Sequence, residues 1–422
     1  MSTRLATFLL LGPVMLAMSI GTHAQASAPV STAPHRDLLA ELKPLPNDLA
    51  RYRHLLATMP ADNLVARQLL ASLEDQLGRY NGALVSFPFD NRIVPPASMP
   101  LPQASEWRAG NAIAAITARA RRYRIVMVNE AHHDAHTREL TLELLPKLHA
   151  EGFRYLAIEA LAPDDPGLMK RGYAIDASGS EYLHEPVYGE IVRQAIRLGY
   201  TLVPYDSDAT TSAGRESGQA RNIYHQVFAK DPHARLLVHA GYAHVDKAAG
   251  NLGDGVQPMA VRLERLTGLA ALSIDQAQFR DIAPGQPDHG AYGTLIERFH
   301  PVHPVVLRQI QSGELWSADP AKHDISVILP RAGTGRRPGW LSLDGRRQAR
   351  LVNTDLCHAH VPCIVEAHYA DEPDAATAAD RYTFLHDDEQ NVLYLYPGSY
   401  RLRAVDASGK TLDERRLHVD GH

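Results

Sequence analysis

Beyond its first residues, this chain of 422 has no apolar run of the roughly 20 residues that a bilayer-spanning helix needs. No integral membrane segment is therefore expected once the N-terminus is set aside. Positive charge is not in excess either: 43 Lys and Arg stand against 48 Asp and Glu, a net charge of −5. That balance argues against nucleic acid, since binding its backbone needs a basic face. No Gly-x-Ser-x-Gly elbow occurs, which disfavours a covalent serine mechanism. Cysteine is scarce, with only Cys357 and Cys363. In an oxidising compartment such a close pair reads as a disulfide around a short loop, with stabilisation toward the low end of the usual range. The intervening His358 and His360 leave a Cys/His metal site as the lesser alternative.

What is present begins with a targeting pattern. Arg4 precedes an apolar stretch from Leu5 to Ile20, broken at Gly12-Pro13 and followed by Ala24-Gln-Ala26. A charged start, an apolar middle and a small-residue cleavage site describe a signal peptide over residues 1–26. The stretch is short and interrupted for an anchor, so a periplasmic or secreted chain beginning near Ser27 is expected. The length implies two or three domains. A hydrophobic fraction of 45% is enough to build their cores. The 22 histidines suit metal or proton chemistry, although many will be plain surface residues.

Five short apolar runs organise the centre of the chain, each leading into ionisable residues. Arg124-Ile-Val-Met-Val128 leads into Asn129-Glu-Ala-His-His133, and Arg154-Tyr-Leu-Ala-Ile158 into Glu159. Thr201-Leu-Val-Pro-Tyr205 leads into Asp206, Arg235-Leu-Leu-Val238 into His239 and His244, and Ala271-Leu-Ser-Ile274 into Asp275. Helical patterns separate the runs, so residues 107–315 read as an α/β fold, a mostly parallel sheet with flanking helices. Ligands bind beyond the carboxyl ends of such strands, where these groups would converge. Residues 27–106 read as a helical appendage and a proline-rich connector, with helices on either side of Pro60-Ala-Asp-Asn63. From residue 324 onward, short alternating runs such as Ile325-Ser-Val-Ile-Leu329 and Gln390-Asn-Val-Leu-Tyr-Leu-Tyr396 describe a small antiparallel β-sandwich, most simply a structural cap.

The chemistry centres on Asn129-Glu-Ala-His-His133. A histidine at a strand-to-helix turn has a lowered pKa, and a neutral imidazole acts as a general base or binds a metal. The bland alternative is a capped helix with solvated histidines. Glu159 ends an apolar strand and needs a basic partner, either in a site or in a structural ion pair. Of the two histidines that bracket Gly241, His244 is the better functional candidate, His239 suiting a satisfied core position. His132, Tyr188, Asp206, Arg221 and His239 are candidates for contacting substrate, with packing or surface roles as their alternatives.

Glu130-Ala-His-His133 after an apolar strand, Glu159 ending the next, and Gly241-x-x-His-Val245 together resemble the erythromycin-esterase and ChaN-like superfamily. That group includes haem-binding ChaN lipoproteins and TraB/TIKI metalloprotease-like proteins. The resemblance covers roughly residues 110–280 and implies catalytic roles for Glu130, His133, Glu159 and His244. Asn129 departs from the pattern, standing where those families have glycine. The expectation is an exported hydrolase acting on an ester, lactone or amide of a small molecule. In a metal-free version His133 is the base, Glu130 and Glu159 orient it, and His244 polarises the carbonyl or protonates the leaving group. In a metal-assisted version Glu130, His132 or His133 (His133 foremost), Glu159 and His244 supply the ligands for zinc, manganese or another divalent ion. The rivals are haem or iron binding, with Tyr188, Tyr205 or Tyr242 available as ligands, and a non-catalytic binding protein.

Overall fold

The computed structural model describes residues 38–60, 62–90, 92, 100–253, 255–288, 290–387 and 389–421, so the expected signal peptide lies outside the described residues. Four helices come first: α1 (Leu38–Leu42), α2 (Asp48–Thr58), α3 (Leu64–Gln76) and α4 (Tyr80–Ser86). Asn47 and Asn63 start α2 and α3 by accepting from Ala50 N and Ala66 N, which satisfies otherwise orphaned helix donors.

An α/β layer follows, with strands β1 (Trp107–Asn111), β2 (Ile125–Glu130), β3 (Tyr155–Ile158), β4 (Thr201–Pro204), β5 (Leu236–Gly241), β6 (Ala271–Phe279), β7 (Val305–Gln309) and β8 (Ile325–Ile328). Between them run α5 (Ala112–Ala120), α6 (His136–Ala150), α7 (Leu168–Arg171), α8 (Pro186–Leu198), α9 (Ser212–Ile223), α10 (Met259–Thr267) and α11 (Ala291–Phe299). The strands form one eight-stranded sheet in the order β1-β7-β8-β6-β2-β5-β3-β4. The five runs recognised in the sequence are neighbours in it, and every contact among them is parallel.

Both faces of that parallel part are covered, which is why its strands are apolar throughout rather than alternating. Successive side chains point to opposite faces. Val126 and Val128 pack with Leu140, Leu144 and Leu148 of α6 and with Ile191 of α8. Ile125 and Met127 face Ala220 and Ile223 of α9 and Leu263 of α10. Gly199, at φ 89°, ends α8 in the left-handed conformation that glycine adopts without a Cβ penalty.

The remaining strands are β9 (Gln348–Asn353), β10 (Cys363–Tyr369), β11 (Asp380–Phe384), β12 (Gln390–Leu395), β13 (Gly398–Asp406) and β14 (Thr411–Val419). A four-stranded antiparallel sheet, β11-β10-β13-β14, shares a core with the ribbon β9–β12 through Val365, Tyr382 and Leu402 on one side and Val352, Leu393 and Leu395 on the other. Cys357 and Cys363 are disulfide-bonded, their Cα atoms 6.1 Å apart.

One boundary moves. The sequence assigns Ile325–Leu329 to the β-region, but β8 pairs with β6 and β7 inside the main sheet and is buried along its length. Burial on both faces gives it the continuous apolar character of a central strand. No helix among the described residues is long and apolar enough to cross a membrane.

Candidate functional site

The carboxyl rim of the parallel strands gathers two sets of charged side chains. Glu130 is the last residue of β2 and is buried. Its Oε1 lies 2.8 Å from His132 Nδ1, and its Oε2 accepts from Arg138 Nε at 2.8 Å. Burial alone would raise this carboxyl's pKa, but Arg138 and His239 hold it well below the usual range. A carboxylate at Nδ1 fixes a neutral imidazole with its proton on that nitrogen, leaving the Nε2 lone pair free. His132 is stacked on Tyr182 and meets Tyr242 edge-on, with ring centroids at 4.5 and 5.3 Å. Its side chain stays 19% exposed.

Glu159, just past β3, anchors the second set. Its Oε1 meets Arg215 Nη2 at 2.7 Å and His244 Nε2 at 3.4 Å, while its Oε2 accepts from Gly241 N at 2.6 Å. Arg215 also spans both oxygens of Asp206, at 2.9 and 2.8 Å. The other nitrogen of His244 reaches Glu216 at 2.7 Å. Burial disfavours a charged His244, yet Glu159 and Glu216 outweigh it and push its pKa up to about 10. His244 is therefore an imidazolium with both nitrogens engaged.

Gly241 joins the two sets. A Cβ there would sit 2.3 Å from His132 Nε2 and 3.2 Å from Glu159 Oε2, so only glycine lets that imidazole lie over the end of β5. The next residue, Tyr242, has a left-handed backbone at φ 41°. Such strain in a non-glycine residue persists only where its surroundings hold it, and it clusters at functional sites. Its hydroxyl lies 3.0 Å from His133 Nδ1.

The other candidates are placed as follows. His133 is buried and stacked on Phe87, with centroids 3.5 Å apart. Burial, with Arg280 nearby, holds its pKa well below the ordinary value and keeps it neutral. His239 lies inside β5 and is buried, with Nδ1 2.9 Å from the Thr141 hydroxyl and Nε2 3.3 Å from Glu130 Oε2. Tyr188 is buried with Arg138 over its ring, and Tyr205 is buried with its hydroxyl donated to His239 O. Tyr242 alone of those three tyrosines is less than fully buried. Arg221 lies on the exposed face of α9, and Arg215 on the same helix reaches the carboxylates instead. Asp275 lies within β6 rather than at its end, because that strand continues to Phe279.

Asn129 has a structural task of its own. It donates to Asp275 at 2.8 Å, and its Oδ1 accepts from Gln276 N at 2.8 Å, tying β2 to β6 where glycine could not. Sequence reasoning missed Arg138, Arg215, Glu216 and Tyr182. For Arg215 and Glu216 a signal existed, since Glu159 needs a cation and His244 needs an anion; Tyr182 carries no local signal.

The expected metal set is not assembled. Glu130 is engaged by Arg138 and His133 is turned to Tyr242, while His244 is held charged between Glu159 and Glu216, whereas a metal-ligating imidazole must be neutral. Among the described residues no group of three or more His, Cys, Asp or Glu side chains is arranged to hold a metal ion. These residues do not fit a zinc or manganese centre.

No known protein family matches the chain, and no curated protein matches it. Weak structural likenesses exist. The type III effector HopBA1 is 14% identical with a TM-score of 0.30, over 47% of this chain and 95% of that one. RRSP, a MARTX toxin effector domain from Vibrio vulnificus CMCP6, is 19% identical with a TM-score of 0.29, over 40% of this chain and 36% of that one. ChaN of Campylobacter jejuni, described as binding haem cofacially, is 9% identical with a TM-score of 0.29, over 44% of this chain and 96% of that one. The chain is an α/β protein by its own eight-stranded sheet, and its weak structural neighbours include a haem-binding protein and toxin effectors.

Proposed function

We propose that this is an exported hydrolase of small-molecule esters, lactones or amides, acting through a Glu130–His132 dyad. The observation that supports it is the pairing of Glu130 with His132 Nδ1 at 2.8 Å at the carboxyl rim, beside Gly241 and Arg215. His132 Nε2 takes a proton from water as its oxygen attacks the substrate carbonyl. Glu130 stabilises the imidazolium that forms. Arg215 uses Nε and Nη2 on carboxylates, and Nη1, which lies 3.5 Å from His244 Nε2, carries two N–H groups, one of which we assign to the developing oxyanion. When the carbon–oxygen or carbon–nitrogen bond breaks, the proton on Nε2 passes to the leaving group. His244 and Glu159 then serve to position Gly241 and Arg215 rather than to exchange protons. His133, neutral and covered by Phe87, is left with a packing role. Export is supported by the N-terminal sequence pattern and by the disulfide.

The test is an absorption spectrum of the purified protein together with a panel of ester, lactone and amide substrates. A colourless protein with measurable turnover is the expected result. A Soret band without turnover would replace this reading by the haem-binding one.

A further inference from the structure

The N-terminal helices present a function beyond packing. Arg138 of α6 is fully buried, and its guanidinium is a hub for groups from distant parts of the chain. Nε binds Glu130 Oε2 at 2.8 Å, and Nη2 donates to the main-chain oxygen of His132 at 2.8 Å. Both halves of the dyad are therefore oriented by this one side chain. What orients Arg138 comes largely from elsewhere. Nη1 binds Asp75 Oδ2 at 2.7 Å and Glu185 Oε2 at 3.1 Å. Asp75 belongs to α3, and its second oxygen accepts from Ala135 N at 3.0 Å, at the start of α6. Tyr80 of α4 donates to Glu185 at 2.9 Å, and Glu185 in turn caps α8 through Val187 N and Tyr188 N.

We infer that Asp75 is a positioning residue for the Glu130–His132 dyad, so that the site is incomplete without the N-terminal helices. This rests on the hydrolase reading above. A guanidinium has a rigid planar fork, so fixing Nη1 fixes the directions in which Nε and Nη2 point. Burial pushes the pKa of the Asp75 carboxyl up to about 8 against the pull of Arg138. Its two oxygens nonetheless accept from Nη1 and from Ala135 N, so Asp75 holds Arg138 and the first turn of α6 at once and locks the distance between Arg138 and the backbone that carries His132. Without it the fork turns toward Glu185, and Glu130 loses the partner that aims its free oxygen at His132 Nδ1. The imidazole then no longer has its proton confined to that nitrogen.

The experiment is nitrogen-15 NMR of the histidine rings in the wild-type chain, Asp75→Asn and Arg138→Lys, with a thermal melt for each. In the wild type His132 is expected as the Nδ1–H tautomer. In Asp75→Asn it is expected as a mixture of tautomers, with the histidines that do not touch Glu130 unchanged, and where a substrate is in hand kcat falls by about 100-fold with little change in KM. Arg138→Lys, which keeps the charge and loses the fork, is expected to give the same mixture. A wild-type His132 that is not the Nδ1–H tautomer would overturn the dyad itself. A wild-type Nδ1–H tautomer that persists in folded Asp75→Asn would overturn the role of Asp75, whatever Arg138→Lys shows. If Asp75→Asn does not fold, Asp75→Glu, which keeps the carboxyl but shifts it by one methylene, decides the matter by the same readout.

Discussion

Two histidines in this molecule have the same electrostatics and different surroundings. His244 lies between Glu159 and Glu216 at the rim of the sheet. His184 lies between Asp48 and Asp176. Burial works against the charge on each, the carboxylates outweigh it, and each pKa rises to about 10. Yet Asp48 is also bound by Arg381 of β11 at 3.1 Å, so the His184 cluster fastens α2, the turn before α8 and the β-region together. The His244 cluster instead holds Arg215, whose side chain is 23% exposed, next to the glycine under His132. A shifted pKa marks a buried ion network; only its position relative to the strand ends and to solvent distinguishes a site from a fastening.

That contrast can be broken first at Asp48. Asp48→Ala removes the anion shared by Arg51, His184 and Arg381, leaving His184 only the exposed Asp176 and Arg381 only Glu366 at 3.5 Å. A stability loss of about 3–5 kcal/mol is expected from a denaturant titration, with turnover per folded molecule unchanged. A loss of turnover at full folding would mean that the fastening network also serves the site.

The converse change is Gly241→Ala. The backbone there, at φ −71°, tolerates alanine, so the new methyl acts chiefly by displacing His132 and Glu159. Turnover is expected to fall by about 100-fold through misplacement. The stability cost should stay near 1–3 kcal/mol, as for other overpacked sites. Undiminished turnover would contradict the placement of His132 over β5.

A graded effect follows from pH. Both histidines have folded pKa values of about 10, above an unfolded value of about 6.5. A raised folded pKa contributes stability that is complete below the unfolded value and lost as pH rises through the folded one. Tm should therefore decline between pH 7 and 10, and His184→Asn should flatten part of that decline while leaving turnover in place. A Tm that holds steady across this window in the wild type would contradict the charged state of both rings.

Much of the architecture is legible in the sequence because it is local. Apolar runs bounded by helix patterns mark β2 through β6, and Gly199 marks the end of α8. The edge β1–β7 and the insertion of β8 are not legible, since pairing partners far apart in sequence decide them. The strand-end rule brings Glu130, Glu159 and His244 to one rim. It does not rank His132 against His133, which are adjacent in sequence. Their difference arises from Phe87, Tyr182 and Tyr242, three rings from separate segments. Asp75 is likewise invisible locally, because its partner Arg138 lies 63 residues away.

The account turns on which of those two histidines moves the proton, and turnover of the best ester or lactone substrate by His132→Ala and His133→Ala, measured side by side, tests it most directly. His132→Ala is expected to lose about 100- to 10,000-fold in kcat, the range for removing a general base, and His133→Ala far less. The reverse order, with His133→Ala the inactive variant, would contradict the dyad.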